Sequence, residues 1–415
     1  MQAQRPLPRR CGEDRLLLVG VVSWRTAARL EQRDAIRALA GGATAAAAGA
    51  VLRFVMAADS LGSDASTRGD VLAFAVSTEA RPLVGKLQLI NAFLRFAVSD
   101  ACERSLGRAR FVAHADDDAL FSLDRIAHRL ALEPAGEDAL SVTGPHGEWY
   151  MWDADSMTPT CWAFSSRRWE VTRANAAEKY SAAMWSATER AYHRHGYWNK
   201  SDPMLIPRAQ LQCLRSGAVG PFPIAKGFFV AYSRGVAEKL ARWASDASPS
   251  PGEPAHACGT QAHALANRSR PLLHPVLMKV YPPEHARHPA QMVMLEDVWH
   301  ACLLYVGFRH RRLTLVNIDV SEWTVHSKRS GRPPLMPADV YHKLRSPKRF
   351  QHVSEHREAL LPRAVGGGSP PTCLHACLPL TAKMRLHRAN ATEALGMGAW
   401  RWCEFRRSGK SSTAP

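Results

Sequence analysis

Three consecutive carboxylates, Asp116, Asp117 and Asp118, follow an apolar run that starts at Phe111 and is typical of a β-strand. Their charges repel one another, so the fold needs a cation among them to keep all three ionised. Carboxylate oxygens favour a hard divalent ion such as Mn²⁺ or Mg²⁺, and in enzymes such ions often bridge diphosphates. The alternative account of the triplet is a turn or a helix cap, because negative charge would stabilise the start of a helix predicted over 123–130.

The composition is that of a globular protein with a strongly basic charge balance. The chain has 415 residues, enough for one large or two ordinary domains with a substantial core. Its net charge of +17 indicates an anionic partner, or equally a coding bias toward Arg and Ala. A nucleic-acid-binding protein ranks last, because the basic residues are scattered and no recognised module is present.

Cysteine spacing and hydropathy limit the class of protein further. The nine cysteines contain no CxxC pair, which argues against a structural zinc site, and their odd number permits several disulfides plus a free thiol. No segment reaches the roughly 18 to 20 apolar residues that span a bilayer. The apolar run 16–22 is better explained as a buried first strand than as a signal segment.

Apolar runs and amphipathic segments alternate along the first third of the chain. The pattern predicts strands at 16–22, 51–57, 71–75 and 111–114, and helices at about 25–39 and 83–102. This alternation predicts an α/β fold with a largely parallel central sheet flanked by helices. Ligands bind at the carboxyl ends of the strands in such sheets, and the Asp triplet lies at such an end.

The expected domain organisation is one large domain with two insertions. Residues 1–13 are predicted to be a disordered start, and 14–345 to form the domain. Insertions are expected at about 170–215 and 244–275, the second as a surface loop rich in Ser, Pro, Gly and Ala. Residues 346–415, first basic and then rich in Gly, Pro and Ser, are predicted to be a peripheral tail.

Several short motifs between residues 16 and 341 carry a family resemblance by their order and spacing. They are Arg33–Arg37, Arg53–Met56, Gly69–Val71, Lys86, Phe111–Phe121, Gly144–Tyr150, Pro221–Ser233, and Glu296-Asp297-Val298 with Cys302 and Gly307, where a helix is expected to stop. In this series the chain resembles the β-1,3-galactosyltransferase / N-acetylglucosaminyltransferase family, inverting glycosyltransferases that include the Fringe proteins. It departs from the pattern at His114, where the family has Lys, and in the acceptor loop, where only Gly227 remains of three glycines.

The resemblance implies a GT-A nucleotide-sugar transferase fold and a metal-dependent hexosyl transfer. The donor would be UDP-galactose or UDP-N-acetylglucosamine, used with Mn²⁺ or Mg²⁺ to form a β-1,3 linkage on a glycan, glycoprotein or glycolipid. By resemblance, Asp118 is the direct metal ligand, and Asp116 and His326 are the other expected metal ligands, with His326 completing the metal shell. Asp116 and Asp117 are also expected near the ribose and the sugar. Asp297 is the expected base that deprotonates the acceptor hydroxyl.

The resemblance also implies supporting roles around these residues. The expected neighbours of the nucleotide are Arg33, Arg37 and Lys86, and those of the acceptor are Trp149, Gly227 and Glu296. Helix-surface salt bridges are an equally good account of each of the three basic residues alone. Glu296 is expected to raise the pKa of Asp297 by like-charge repulsion, whereas the simpler account of the pair is negative charge at a helix start.

A second hypothesis keeps the fold without the activity. The reduced acceptor loop and the loss of Lys before the triplet favour a catalytically inactive protein that binds glycans or UDP-sugars. Retention of the three aspartates and of Glu296-Asp297 argues for the enzyme. By resemblance the protein is expected in the Golgi lumen or as a type II Golgi membrane protein, with membrane association only if an anchor is missing from this chain.

Overall fold

The computed structural model describes sixteen segments of the chain. They are 15–24, 27–40, 49–58, 69–76, 82–133, 139–153, 158–164, 219–245, 249–260, 296–318, 320–322, 339–342, 344, 347–355, 372–375 and 401–404. The predicted disordered start, the predicted insertion at 170–215 and much of the one at 244–275 lie outside these residues.

Strands and helices are numbered along the described residues. The strands are β1 Arg15–Val22, β2 Ala50–Ala57, β3 Val71–Phe74, β4 Ala109–Asp116, β5 Leu120–Phe121, β6 Ser141–Gly144, β7 His146–Asp153, β8 Thr158–Phe164, β9 Val219–Ala225, β10 Phe229–Ser233, β11 Thr314–Asn317, β12 Val320–Glu322, β13 Val340–His342, β14 Thr372–His375 and β15 Arg401–Glu404. The helices are α1 Ala27–Ala40, α2 Pro82–Ala97, α3 Asp100–Leu106, α4 Leu123–Ala131, α5 Arg234–Trp243, α6 Pro254–Cys258, α7 Glu296–Phe308 and α8 Pro347–Glu355.

Nine of these strands form one central sheet in the order β14-β15-β11-β6-β10-β4-β1-β2-β3. The run β3-β2-β1-β4 is parallel, and β6, β11 and β15 are parallel to one another. β10 lies antiparallel between β4 and β6. The prediction of an α/β fold with a largely parallel sheet is therefore confirmed.

The central strand β1 is buried on both faces, which explains its continuous apolar sequence. Leu18 and Val22 pack into a core shared with α2, α5 and α7. Leu17, Val19 and Val21 pack on the other face, in a core that includes side chains of α1 and α4. Helices thus cover both faces of the sheet, as the sequence pattern predicted.

A glycine in β1 sets how closely α2 approaches the sheet. A Cβ at Gly20 would lie 2.6 to 2.8 Å from ring atoms of Phe93 on α2, well inside van der Waals contact. The helix can therefore lie directly against β1 only because this position lacks a side chain. This close approach brings Lys86, on the same helix, toward the end of β4.

Two predicted helix boundaries differ in the structure. The helix predicted over 83–102 is divided into α2 and α3, because the Ser99 side chain accepts the Cys102 N–H at 3.3 Å and caps a new helix. Gly307 does not stop α7, which continues to Phe308. A Cβ at Gly307 would lie 2.1 Å from Trp243, so packing between helices, and not a helix end, accounts for this glycine.

Residues from the predicted peripheral tail form part of the sheet and of one core. β15 pairs in parallel with β11, and β14 pairs with β15 to form the sheet edge. Val353 of α8 is fully buried in the core that contains α1 and α4. These parts of 346–415 therefore belong to the same folded unit as the central sheet.

Part of the predicted surface loop at 244–275 is anchored to the core. Cys258 at the end of α6 forms a disulfide with Cys302 of α7, with the Cα atoms 6.0 Å apart. The indole N–H groups of Trp152 and Trp299 donate to the Cys258 and Gly259 carbonyls at 2.8 and 3.2 Å. This segment therefore packs against the start of α7. Of the helices described, none is long and apolar enough to cross a bilayer.

Candidate metal and catalytic site

The site lies at the carboxyl ends of β1 and β4, where the strand order reverses. The chain passes from β1 outward to β2 and β3 and then returns to β4 on the other side of β1. Such a reversal leaves a crevice beyond the two strand ends. Ser23 follows β1 and Asp116 ends β4, with Val22 and Asp116 as register partners, so these residues line the crevice.

Two aspartates of the triplet meet a histidine in this crevice. Asp116, Asp118 and His342 each offer one ligand atom, and the three atoms lie within 4.8 Å of one another. The His342 Nε2 atom is 3.4 Å from Asp118 Oδ1. Carboxylate oxygens with one imidazole nitrogen suit a divalent cation such as Mn²⁺. The side chains of Asp116, Asp118 and His342 are therefore suitable ligands for the divalent cation that the Asp triplet predicts.

Neighbouring backbone and one aromatic ring hold His342 beside the triplet. β13 pairs antiparallel with β5, the two-residue strand that follows the triplet. The Leu344 N–H then donates to the Asp118 carbonyl at 2.9 Å. The imidazole stacks on the ring of Phe228 with centroids 4.2 Å apart, and the Phe228 carbonyl accepts the Asp116 N–H at 3.2 Å.

His342 was not among the residues predicted from sequence. His326, the predicted ligand, lies outside the described residues. The available signal was the β-type run Val340-Tyr341-His342, which predicts a short strand ending in a possible ligand. Which of the 18 histidines reaches the triplet depends on the pairing of β13 with β5, and sequence pattern does not specify that pairing.

Asp117 points to a different part of the crevice and meets groups from α1. It accepts the Ser23 hydroxyl at 2.8 Å and forms an ion pair with Arg29. Arg33 donates to the Ser23 hydroxyl and the Trp24 carbonyl, each at 3.0 Å. Burial raises the pKa of Asp117 to about 6 although Arg29 and Ser23 act to lower it. Arg29 is a site residue that the sequence predictions missed.

Arg37 lies on α1 as well, but the structure places it away from the triplet. Its guanidinium forms ion pairs with Asp70 at 2.7 Å and Asp34 at 2.6 Å, and lies 4.6 Å from the Phe54 ring centroid. Asp70 directly precedes β3, at the end of the parallel strands opposite the crevice. Arg37 therefore connects α1 to this far end of the sheet, while Arg29 and Arg33 reach the crevice.

Lys86 joins the Asp116 carboxylate to the start of α7. Its Nζ atom lies 2.7 Å from Asp116 Oδ1 and also forms an ion pair with Glu296. Burial alone would lower the pKa of Lys86, but the two carboxylates outweigh it and hold the pKa above its usual range. Burial alone would likewise raise the pKa of Glu296, and Lys86 lowers it instead. Both groups therefore stay charged at neutral pH.

Asp297 is a half-buried carboxylate beside this ion pair. It accepts the Gly227 N–H at 3.3 Å and the Val298 N–H at 2.9 Å. Its pKa is raised to about 7, chiefly by burial and also by repulsion from Glu296, while Lys86 and the two N–H groups oppose the shift. Glu296 does repel Asp297 as expected, but burial is the larger cause. A carboxylate with this pKa can accept a proton near neutral pH.

Gly227 packs directly against the two acidic residues of α7. A Cβ there would lie 3.0 Å from Glu296 Oε1 and in ordinary contact with Asp297 Cβ at 3.4 Å, so a side chain would press on the Glu296 carboxylate. Trp149, the other predicted acceptor residue, lies in β7, where its partners are Ala163 and Pro223. Its side chain lies outside the described part of the structure.

A cluster of four buried polar side chains lies near Lys86. His114 Nε2 and the Tyr232 hydroxyl are 3.3 Å apart, and His300 Nε2 is 2.9 Å from Asn91 Oδ1. Burial lowers the pKa of His114 well below its usual value and that of His300 to about 4. Both rings are therefore neutral at pH 7. Among these groups Lys86 carries the positive charge that faces Asp116 and Glu296.

Comparison with known proteins adds little to this description. No family model matches the chain, and no curated protein matches its sequence. Among solved structures, the apo form of mouse xyloside xylosyltransferase 1 aligns with a TM-score of 0.31 and 9% identity, covering 80% of this chain and 97% of that chain. At so low a TM-score the likeness carries no weight, and the family named above stays a prediction from sequence motifs.

Proposed function

We propose that this protein is a metal-dependent inverting hexosyltransferase that uses a UDP-sugar. The observation that carries the proposal is the arrangement in one crevice of a cation-binding triad and a half-buried carboxylate with a pKa near 7. The triad is Asp116, Asp118 and His342, and the carboxylate is Asp297. The Lys86–Glu296 ion pair joins the two.

Each group suits one requirement of glycosyl transfer. A divalent cation held by the triad would neutralise the diphosphate as it leaves the sugar. Asp117 is proposed to contact the nucleoside of such a donor, and its contacts with Ser23 and Arg29, with Arg33 beside Ser23, support this by holding it at the same crevice. Asp297 would take the proton of the acceptor hydroxyl as that hydroxyl attacks the sugar carbon. Attack on the face opposite the leaving diphosphate inverts the configuration at that carbon.

The charges around Asp297 suit a base that works near neutral pH. Lys86 keeps Glu296 ionised, and the Glu296 charge together with burial keeps the proton affinity of Asp297 high. The Gly227 and Val298 N–H groups fix the orientation of the carboxylate. A positioned carboxylate of this kind is expected to contribute about 10² to 10⁴ in rate.

The finer assignments rest on the sequence resemblance. They are galactose or N-acetylglucosamine as the sugar, a β-1,3 linkage as the product, and a glycan, glycoprotein or glycolipid as the acceptor. A location in the Golgi lumen or at the Golgi membrane belongs to the same proposal. The Cys258–Cys302 disulfide supports it, because disulfides persist in oxidising compartments.

The test is UDP release from purified protein with a panel of UDP-sugars and acceptor glycans, in Mn²⁺ and in EDTA. Asp118→Ala should abolish both Mn²⁺ binding and turnover, while Asp297→Asn should abolish turnover and leave Mn²⁺ binding intact. Glu238→Gln, which removes an exposed carboxylate on α5, is the matched control and should keep full activity.

The outcomes separate the proposal from its alternatives. Metal-dependent turnover of one donor, lost in both site variants, supports a glycosyltransferase. Binding of UDP with Mn²⁺ but no turnover of any donor would favour the inactive UDP-sugar-binding protein. Absence of UDP binding in the presence of Mn²⁺ would refute both.

A further inference from the structure

We infer that Asp339 is a positioning residue for His342, the third member of the cation-binding triad, and the inference rests on the proposed metal site. The Asp339 side chain is fully buried. Its carboxylate forms two ion pairs, from Oδ1 to Arg125 Nε at 3.0 Å and from Oδ2 to Arg129 Nη1 at 2.8 Å. A buried carboxylate engaged by two guanidinium groups holds its strand in a defined place.

The two arginines connect Asp339 to the segment that follows the Asp triplet. Arg125 and Arg129 stand four residues apart on α4, so both project from one face of that helix. The Ser122 side chain caps α4 by accepting the Arg125 N–H, and the Ser122 N–H donates to the Asp339 carbonyl at 3.1 Å. Backbone and side chains together therefore tie Asp339 to the start of α4.

His342 lies between two such fixed points. Before it, Asp339 is held by α4, and after it the Leu344 N–H donates to the Asp118 carbonyl at 2.9 Å. The imidazole is thereby kept 3.4 Å from Asp118. A loosely held strand would have to be ordered when the cation binds, and that loss of entropy would weaken binding.

Loss of the Asp339 charge should loosen β13, the strand that follows Asp339 and ends at His342. With Asn in its place, the mostly buried Arg125 and Arg129 guanidinium groups would lose the fully buried Asp339 carboxylate, and breaking a buried ion pair from one side is far more disruptive than breaking a surface pair. The expected consequence is a His342 ring that no longer rests beside Asp118. Partners that orient metal ligands typically change metal affinity by about 10- to 100-fold when they are mutated.

Glu133 provides a matched control for a purely structural effect. It too is a buried carboxylate, and it accepts the Ser141 and Thr143 hydroxyls at 2.7 and 2.6 Å. Thr143 of β6 lies level with Ala113 of β4, through Ala231 of β10, and Ser141 lies two residues farther from the Asp116 end that lines the crevice. Glu133→Gln therefore disturbs a buried polar cluster without disturbing the support of His342.

The experiment is calorimetric titration of the full chain with Mn²⁺ alone, arranged as a double-mutant cycle. The variants are Asp339→Asn, His342→Ala, the double variant Asp339→Asn/His342→Ala, and the Glu133→Gln control. Asp339→Asn should weaken Mn²⁺ binding about tenfold or more. The double variant should bind no more weakly than His342→Ala alone, because Asp339 acts through His342. Glu133→Gln should bind as the wild type does.

The inference would be overturned if Asp339→Asn bound Mn²⁺ as tightly as the wild type. It would also be overturned if the fold-loss of Mn²⁺ affinity in the double variant equalled the product of the two single losses. Either result would leave the metal site standing. A wild-type protein that binds no Mn²⁺ would overturn the metal site itself, and the inference with it. If Asp339→Asn does not fold, Arg125→Gln is used in the same cycle, because it keeps the Arg129 pair. It should show a smaller loss with the same lack of additivity.

Discussion

Replacing Asp297 with Asn should stabilise the folded protein at alkaline pH while it removes the proposed base. The usual pKa of this carboxyl is 3.8, and burial, helped by Glu296, raises it to about 7 in the fold. Because the folded state holds this proton more tightly than the unfolded state, the contribution of Asp297 to stability is complete below pH 3.8 and is lost as pH rises from there through about 7. Asn cannot ionise, so the variant escapes this loss.

The size of the effect follows from the gap between the two pKa values. A shift of about 3 units corresponds to about 4 kcal/mol lost by the wild type once the pH is well above 7. Asn has one oxygen where Asp297 has two, so one of the hydrogen bonds from the Gly227 and Val298 N–H groups is lost. This loss costs the variant about 1 kcal/mol at any pH. The expected net gain is therefore about 3 kcal/mol at pH 8 and below about 1 kcal/mol at pH 5.

Urea unfolding at pH 5 and pH 8, in EDTA so that no cation contributes, measures both free energies. Glu238→Gln, on the exposed surface of α5, reports the effect of losing one negative charge, and any change it shows is subtracted. A variant that is no more stable than the wild type at pH 8, or equally stabilised at both pH values, would refute the account of Asp297.

Three further outcomes are expected. His342→Ala should weaken Mn²⁺ binding by about tenfold or more in a calorimetric titration, and unchanged affinity would remove His342 from the triad. Gly227→Ala should lower kcat by about 10- to 100-fold with little change in the donor KM, because the new methyl group would lie 3.0 Å from Glu296 Oε1 and displace this carboxylate beside Asp297. Steady-state kinetics with the active donor decide this. Cys302→Ser should lower the free energy of unfolding by about 4 kcal/mol, because the disulfide to Cys258 closes a loop of 44 residues; loss of the difference in dithiothreitol is the check.

The central strands and the acidic motifs could be predicted because their signals are local. β1 reads as a continuous apolar run, since both of its faces are buried. The Asp triplet ends one strand, and Glu296-Asp297 begins one helix, so each group stands out in a short window of sequence. The outer strands β14 and β15 gave no such signal, because each spans only four residues, which is too short for strand periodicity to show.

The arginines of α1 show where local pattern stops being informative. Arg29, Arg33 and Arg37 recur at helical spacing, and all three project from related faces of the helix. Only the direction in which α1 packs on the sheet decides that Arg29 and Arg33 reach Asp117 and Ser23 while Arg37 reaches Asp70. The sequence predictions therefore included Arg37 and omitted Arg29.

The sequence by itself determined the fold class and marked Asp116, Asp118 and Asp297 as the groups able to do chemistry. Residue type and short-range periodicity are enough for the fold class and the Asp triplet, whereas Asp297 was marked by the family resemblance. Only the tertiary structure decided that His342 lies beside the triplet and that Lys86 bridges Asp116 and Glu296. The physical reason is that these contacts join segments distant in sequence, through strand pairing and helix packing. The pKa of Asp297 likewise depends chiefly on its burial, a property of the folded chain and not of the residue type.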